Sequence, residues 1–340
     1  MQVIKTVDAV GMVIGHDLTE IVPGSFKGAA FRKGHVVRHE DIERLLRMGK
    51  EHLYVMKLKP DEIHEEAAAI ALGRLISGPG IHFTRPVEGK INLKAGRKGL
   101  LKINRDLQDD INELGDICLA TVHENRSIGK DELVGGCRVI PLTIPRSKLE
   151  AAASLLANRP PMITVKPFRS MKAAVIVTGS EVFQGRIEDK FGPIVSQKLK
   201  AFDIEVFQQV IVPDQTEVIR QAVEEAQASG ADLIVVTGGM SVDPDDKTPG
   251  AIKQTGADIV AYGTPVLPGA MLLMAYLKGI PVFGLPGCVM FAHTTAFDML
   301  LPRIAAGETI VRRDITRLGH GGQCLKCDTC HFPNCHFGKC

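Results

Sequence analysis

The chain has 340 residues, 45% apolar and 24% charged, the balance of a globular protein long enough to bury more than one core without cross-links. Its formal net charge of +2 gives no general drive toward nucleic acid. The opening MQVIKTVDAVG lacks the basic leader and apolar core of a signal peptide, and the apolar stretch 266–300 is broken by Pro268, Lys278, Pro281, Pro286 and His293. Neither export nor a membrane span is expected, and a cytoplasmic location is.

The first 165 residues read as a separate α+β domain. Short alternating segments such as His52 to Met56 predict strands, and helical spacing appears only from about Asp61 to Leu75. The segment from Phe26 to Pro60 is locally basic, which reads as a solvated face or as the border of an anionic ligand's cleft. Asn158-Arg159-Pro160-Pro161 marks a linker.

From residue 170 to about 310 the pattern changes. Ala173 to Val177 and Leu233 to Val236 are continuous apolar runs of the kind buried on both faces, and Ile204 to Val212 is a third strand. Between them, Ile194 to Phe202 and Glu217 to Ala228 carry apolar residues at helical spacing. Met271 to Tyr276 and Val282 to Phe283 are further strands, and Met290 to Ala305 a further helix. Such alternation predicts an α/β fold, a mostly parallel sheet with helices on both faces and ligands at the carboxyl ends of its strands.

Three loops fall at that edge. Thr178-Gly179-Ser180 follows the first strand. Thr237-Gly238-Gly239-Met240-Ser241 follows the Leu233 run and leads into Asp243, Asp245 and Asp246. Glycine lets the backbone bend tightly and approach a ligand, and the acidic side chains suit a divalent cation. Thr248 and Pro249 read as the N-cap and first residue of the next helix, whose free N–H groups would favour phosphate. The third loop is Leu285-Pro286-Gly287-Cys288. An ordinary strand-to-helix turn with solvated aspartates is the alternative for the acidic loop.

The last residues, 320–340, form a separate cysteine-rich tail. Gly321-Gly322 reads as a flexible joint before CLKCDTCHFPNCHFGKC, in which Cys324, Cys327, Cys330, Cys335 and Cys340 are interleaved with His331 and His336. Two-residue spacing lets successive thiolates converge on an iron-sulfur cluster or on tetrahedral zinc, and unligated redox-active thiols are the remaining reading.

Five loops taken together, TGSE at 178–181, EDKFGP at 188–193, TGGMSVDPDDKTP at 237–249, PGAM at 268–271 and LPGCVM at 285–290, resemble the molybdopterin-binding domain shared by molybdopterin adenylyltransferases and molybdopterin molybdenumtransferases. The resemblance implies that Gly238, Gly239 and Ser241 cradle the pterin's terminal phosphate, with Thr178, Gly179, Ser180, Pro286, Gly287 and Cys288 completing the cofactor site. It implies Asp246 as the acid for Mg2+ and catalysis, Asp189 as the second acid, and Asp243 as a supporting ligand. Cys288 and Val289 stand where the family has asparagine and proline.

The implied activity is molybdenum cofactor biosynthesis, by Mg-dependent insertion of molybdate or tungstate into molybdopterin or its adenylylated form with release of AMP. Alternatives are a non-catalytic pterin carrier or a redox or metal sensor, and an adenylyltransferase. A homo-oligomer is expected, and a molybdoenzyme or a sulfur or metal donor is a candidate partner.

Overall fold

The computed structural model describes residues 2–22, 26–56, 58–241 and 246–339. By packing the chain divides into two units, one of Met1–Arg97, Leu101–Val122 and Ile128–Val165, the other of Lys98–Leu100, His123–Ser127 and Lys166–Cys340. Among the described residues no helix is long and apolar enough to cross a membrane.

The first unit is built from small antiparallel pieces. Gln2–Lys5 pairs with His52–Val55 and Leu18–Val22 with Phe26–Phe31, around a core of Ile14, Leu45 and Leu53. A four-stranded sheet, in the order Ile81–Phe83, Lys90–Ala95, Leu133–Val139, Ile117–Thr121, packs a second core against the helix Glu65–Ile76. That helix starts later than its spacing predicts, because Glu62–His64 pairs as a strand with Thr143–Pro145. Asn158 to Pro161 is an exposed bend inside this unit, since Ile163–Lys166 returns to its small sheet of three strands.

His64 caps that helix and is 4% exposed. Its Nδ1 accepts from the Lys33 ammonium at 2.8 Å, so the remaining proton is on Nε2, which donates to the Gly15 carbonyl at 2.5 Å. Burial, then the Lys33 charge, hold its pKa below the ordinary 6.5 against the hydrogen bond to Gly15, and His16 is lowered by its own burial, then by Lys50 and His64. An imidazole depressed in the fold binds its proton more readily when unfolded. Its contribution is therefore complete above about pH 6.5 and is lost as pH falls toward the folded value.

Chemical denaturation of the protein should show this unit losing up to about 1.4 kcal/mol per pH unit for each of the two histidines below that point, and His64→Gln should remove the His64 share and leave that of His16. The buried Glu65 carboxyl is raised, chiefly by burial, and works in the opposite sense from about pH 4.5 upward, so the variant is needed to isolate the histidine.

The second unit holds a six-stranded sheet in the order Ile204–Val212, Met171–Thr178, Leu233–Thr237, Ile280–Leu285, Leu273–Leu277, Asp258–Tyr262. The first four strands are parallel, as the apolar runs predict, and the last two pairings are antiparallel, so that Leu273–Leu277 runs against the other five strands. Alternate side chains serve opposite faces. Ala173, Val175 and Val177 join Leu199, Phe297 and Leu301 on one, while Ala174 and Ile176 join Ile219, Val223 and Ile252 on the other. Helices Phe191–Lys200 and Ala296–Ala305 thus cover one face and Thr216–Ala228 and Thr248–Gln254 the second.

The helix predicted from Met290 begins at Ala296 instead. Gly287–Met290 is a single 3-10 turn, and Thr295 with Asp298 forms the capping box that fixes the true start.

Candidate functional site

Parallel register brings the functional loops together. Thr178 pairs with Val212, Val177 with Thr237, and Thr237 with Leu285, so four strands end at one edge. At this edge Gly238 and Gly239 both have left-handed backbone, φ +88° and +54°, a conformation that costs an L side chain but not glycine. The Gly239 carbonyl accepts from Thr248 N at 3.2 Å, and the Thr248 hydroxyl donates to the Gly238 carbonyl at 2.9 Å. Thr178 Oγ1 lies 3.4 Å from Thr248 Oγ1. Both carbonyls are therefore turned toward the next helix. The amides of Gly239 and Met240 donate to no acceptor among the described residues. Two free amides in a left-handed turn make an anion-binding concavity.

The loop is anchored from beneath. Met240 is 3% exposed, and its sulfur lies 2.7 Å from where a Cβ on Gly284 would be. The Tyr262 hydroxyl donates to the carbonyls of Met240 at 2.9 Å and Ser241 at 3.3 Å. Burial, then the charge of Asp246, push the Tyr262 phenol upward, so it stays protonated and keeps donating. Asp246 is half-buried and stands within electrostatic reach of that ring. Asp243, with Asp245, lies outside the described residues.

The other predicted residues divide. Ser180 N donates to Asp214 Oδ2 at 2.8 Å while Asp214 N donates to Ser180 Oγ at 3.3 Å, which locks the TGSE loop to the loop after Ile204–Val212. Asp214 escaped the sequence reading, although the strand-end rule that selected Thr178 applies to it equally. Asp189 is engaged otherwise. Its Oδ1 accepts from Phe191 N at 2.8 Å and Gly192 N at 3.0 Å, and its Oδ2 from Gln209 Nε2 at 3.1 Å. Its carboxylate thus receives the first two amides of helix Phe191–Lys200, whose cap position is Lys190, and no hydrogen bond or ion pair among the described residues joins it to Asp246.

Thr248, expected as an N-cap, is the first helical residue, with Lys247 in the cap position, because its hydroxyl is committed to Gly238. Pro286 is extended before the 3-10 turn of Gly287 and Cys288, and Gly287 has open space at its α-carbon. Burial pushes the Cys288 thiol up, with Asp298 adding to it, so this cysteine is a neutral thiol at pH 7.

The tail is not a loose appendage. The Gly321–Gly322 pair expected to flex is hydrogen-bonded: Leu267 N donates to Gly322 O at 2.8 Å and Gly338 N to Gly321 O at 3.0 Å. Phe337, 2% exposed, packs into the domain core, which anchors a segment too short to build its own. Among the described residues no three His, Cys, Asp or Glu side chains stand close enough to hold an ion. Cys340 lies outside the described residues.

A mostly parallel α/β sheet with helices on both faces and glycine loops at its strand ends is a fold of the doubly wound class. Residues 174–306 match the family described as a probable molybdopterin binding domain, the family that the five loop motifs resemble. Residues 3–57 match a domain of unknown function, DUF8806.

A molybdopterin molybdenumtransferase of Staphylococcus epidermidis is 32% identical over 130 residues, covering 36% of this chain and 31% of its own length. That of Haemophilus influenzae is 25% identical over 272 residues, covering 74% of this chain and 64% of its own. The chain thus spans from about a third to just under two thirds of these relatives. Among solved structures, a molybdopterin biosynthesis protein of Pyrococcus horikosii is 16% identical, with 72% of this chain and 79% of that one covered at a TM-score of 0.35.

Proposed function

We propose that the protein acts in molybdenum cofactor biosynthesis, binding molybdopterin or its adenylylated form and inserting molybdate with release of AMP. The observation that carries the proposal is the Gly238–Gly239 turn, whose neighbouring free amides suit a phosphate at the strand edge. Asp246 and the hydroxyl of Ser241 are hard oxygen donors of the kind Mg2+ takes, with Asp243 as a further carboxylate in the sequence. Bound there, Mg2+ would neutralise charge on the phosphates as the phosphoanhydride bond is cleaved. The chain's own part is to hold the terminal phosphate on the Gly239 and Met240 amides. Thr248 fixes those amides by holding the Gly238 and Gly239 carbonyls of the same two peptides, Tyr262 fixes the residues that follow, and the Ser180–Asp214 lock fixes the facing loop. In this proposal the protein works in the cytoplasm as a homo-oligomer, and the tail cysteines bind an iron-sulfur cluster or zinc.

A pterin carrier is the second reading, favoured by one observation: Asp189, the implied second acid, spends its carboxylate on capping a helix. Anaerobic incubation with adenylylated molybdopterin, magnesium and molybdate separates the two. AMP release should fall about a hundredfold in Asp246→Asn while pterin binding persists. Tight binding of a nucleotide that stays intact in the unsubstituted protein would instead establish the carrier.

A further inference from the structure

The tail touches the pterin domain at two of its motif loops. Residues 322–324 run beside Leu267, with a parallel bridge from Leu267 to Gln323 and Cys324 N donating to Leu267 O at 2.8 Å, directly before the PGAM loop. Further on, Cys330 Sγ lies 4.0 Å from the Thr294 hydroxyl, in the short connection between LPGCVM and helix Ala296–Ala305. The two attachments are coupled through the fold, because Gly269 packs so closely on Ala296 that a Cβ there would lie 2.7 Å from its nitrogen.

The cysteines between these attachments carry the marks of a metal knuckle. Cys324 Sγ accepts from Lys326 N at 3.4 Å, and Lys326 has φ +52°, so the Cys324-to-Cys327 segment is a tight turn with an amide aimed at sulfur. Cys324, Cys327, Cys330 and Cys335 are all free of disulfides. Cys324 and Cys335 are half-buried against the core beside Phe332 and Phe337, while Cys327 and Cys330 are exposed. Two ligands are thus held by the domain, Cys327 is exposed, and Cys330 reaches the others only by leaving Thr294.

We propose that Cys324, Cys327, Cys330 and Cys335 form a thiolate site for a thiophilic metal, and that its closure draws Cys330 off Thr294 and thereby resets the PGAM and LPGCVM loops. Metal loading then controls access to the strand-edge site. Linkage makes the effect reciprocal, so a ligand on the loops and a metal in the tail alter each other's affinity by one factor. The regulatory part rests on the pterin reading, whereas the metal site does not.

The test uses the full chain, prepared anaerobically and freed of metal by chelation, with two probes: Zn2+ alone, and equal parts of Fe2+ and Fe3+ with sulfide. One equivalent of zinc, or a cluster with visible charge-transfer absorption, should bind per chain and tell the two metals apart. Hydrogen exchange at 267–271 and 286–295 should change about tenfold on loading, a readout independent of pterin.

Cys327→Ser with Cys330→Ser should abolish both responses. These side chains are exposed, so no core is emptied, and unchanged melting of the metal-free variant checks its fold. Failure of both probes to bind overturns the site, and binding without any change in loop exchange overturns the coupling. If loading alters exchange but molybdopterin does not bind with or without metal, the pterin reading fails and the metal-gated loops stand.

Discussion

Gly238→Ala is expected to cost the second unit on the order of 3 kcal/mol and to eliminate anion binding at the strand edge. Two effects add. The residue has φ +88°, where alanine is strained, and its new Cβ would lie 2.4 Å from the Thr178 carbonyl oxygen and 2.8 Å from the Thr178 hydroxyl. Neither obstacle can yield, since Thr178 is paired to Val212 in the sheet and is 4% exposed. The loop must therefore lift, and with it the Gly239 and Met240 amides. Gly250 supplies the control. It is exposed in helix Thr248–Gln254 with open space where a methyl would stand, so Gly250→Ala should leave stability unchanged or raise it by up to about 1 kcal/mol. Equilibrium unfolding monitored by circular dichroism, with phosphate or pterin titration of the folded fraction, distinguishes the two glycines. Equal behaviour would mean that the Gly238 conformation is unimportant.

Phe337→Ala is the second large effect. The ring is 2% exposed, in edge contact with Phe332 at 6.3 Å between centroids and part of the core with Met299 and Leu300. Removing a buried phenylalanine costs about 3–5 kcal/mol. Its place at the margin of the core, where the tail can detach and water enter, puts the expected loss near the lower bound, about 10 °C in melting temperature for a unit of this size. Thiol labelling provides the specific signature. In the unsubstituted protein Cys324 and Cys335 are half-buried and should react more slowly than Cys327, and in Phe337→Ala all three should react alike. A variant that melts lower while retaining the ordered difference in labelling would show that Phe337 stabilises the core without fastening the tail.

Much of the second unit was legible because a strand buried on both faces leaves an uninterrupted apolar run, as 173–177 and 233–236 do. Strand direction was not legible there. Leu273–Leu277 is as apolar as its parallel neighbours, and its antiparallel pairing follows from the two-residue turn at Lys278 and Gly279 that joins it to Ile280–Leu285. The helix after EDKFGP begins at Phe191 rather than Ile194, because Gly192 and Pro193, which look like breakers, occupy a first turn capped by Asp189. Thr295 and Asp298 have capping-box spacing, a signal in plain view, but the apolar Val289 and Met290 ahead of them extended the apparent helix.

Of the site, the glycine turn could be read from residue types and position alone. Tyr262 could not, since it gains its role from a neighbour distant in sequence, whereas Asp214 follows a strand end and the same positional rule would have selected it. The tail's cysteines announce themselves, whereas the aromatic that fastens them has no periodicity to reveal it. The first unit was least legible of all: its strands are short and pair across long separations, as Gln2 with Val55 does.

The thioether under the glycine turn has a chemical consequence. Met240, 3% exposed, fills the space left by the missing side chain of Gly284, with no room for an added atom on that side of its sulfur. Conversion to the sulfoxide would add an oxygen and a strong dipole in an apolar pocket, forcing the turn outward. While the turn is closed the sulfur is shielded from oxidants, so damage accrues only during moments of opening. A protein handling an air-sensitive dithiolene would thus lose its anion grip under the same oxidative conditions that destroy its ligand.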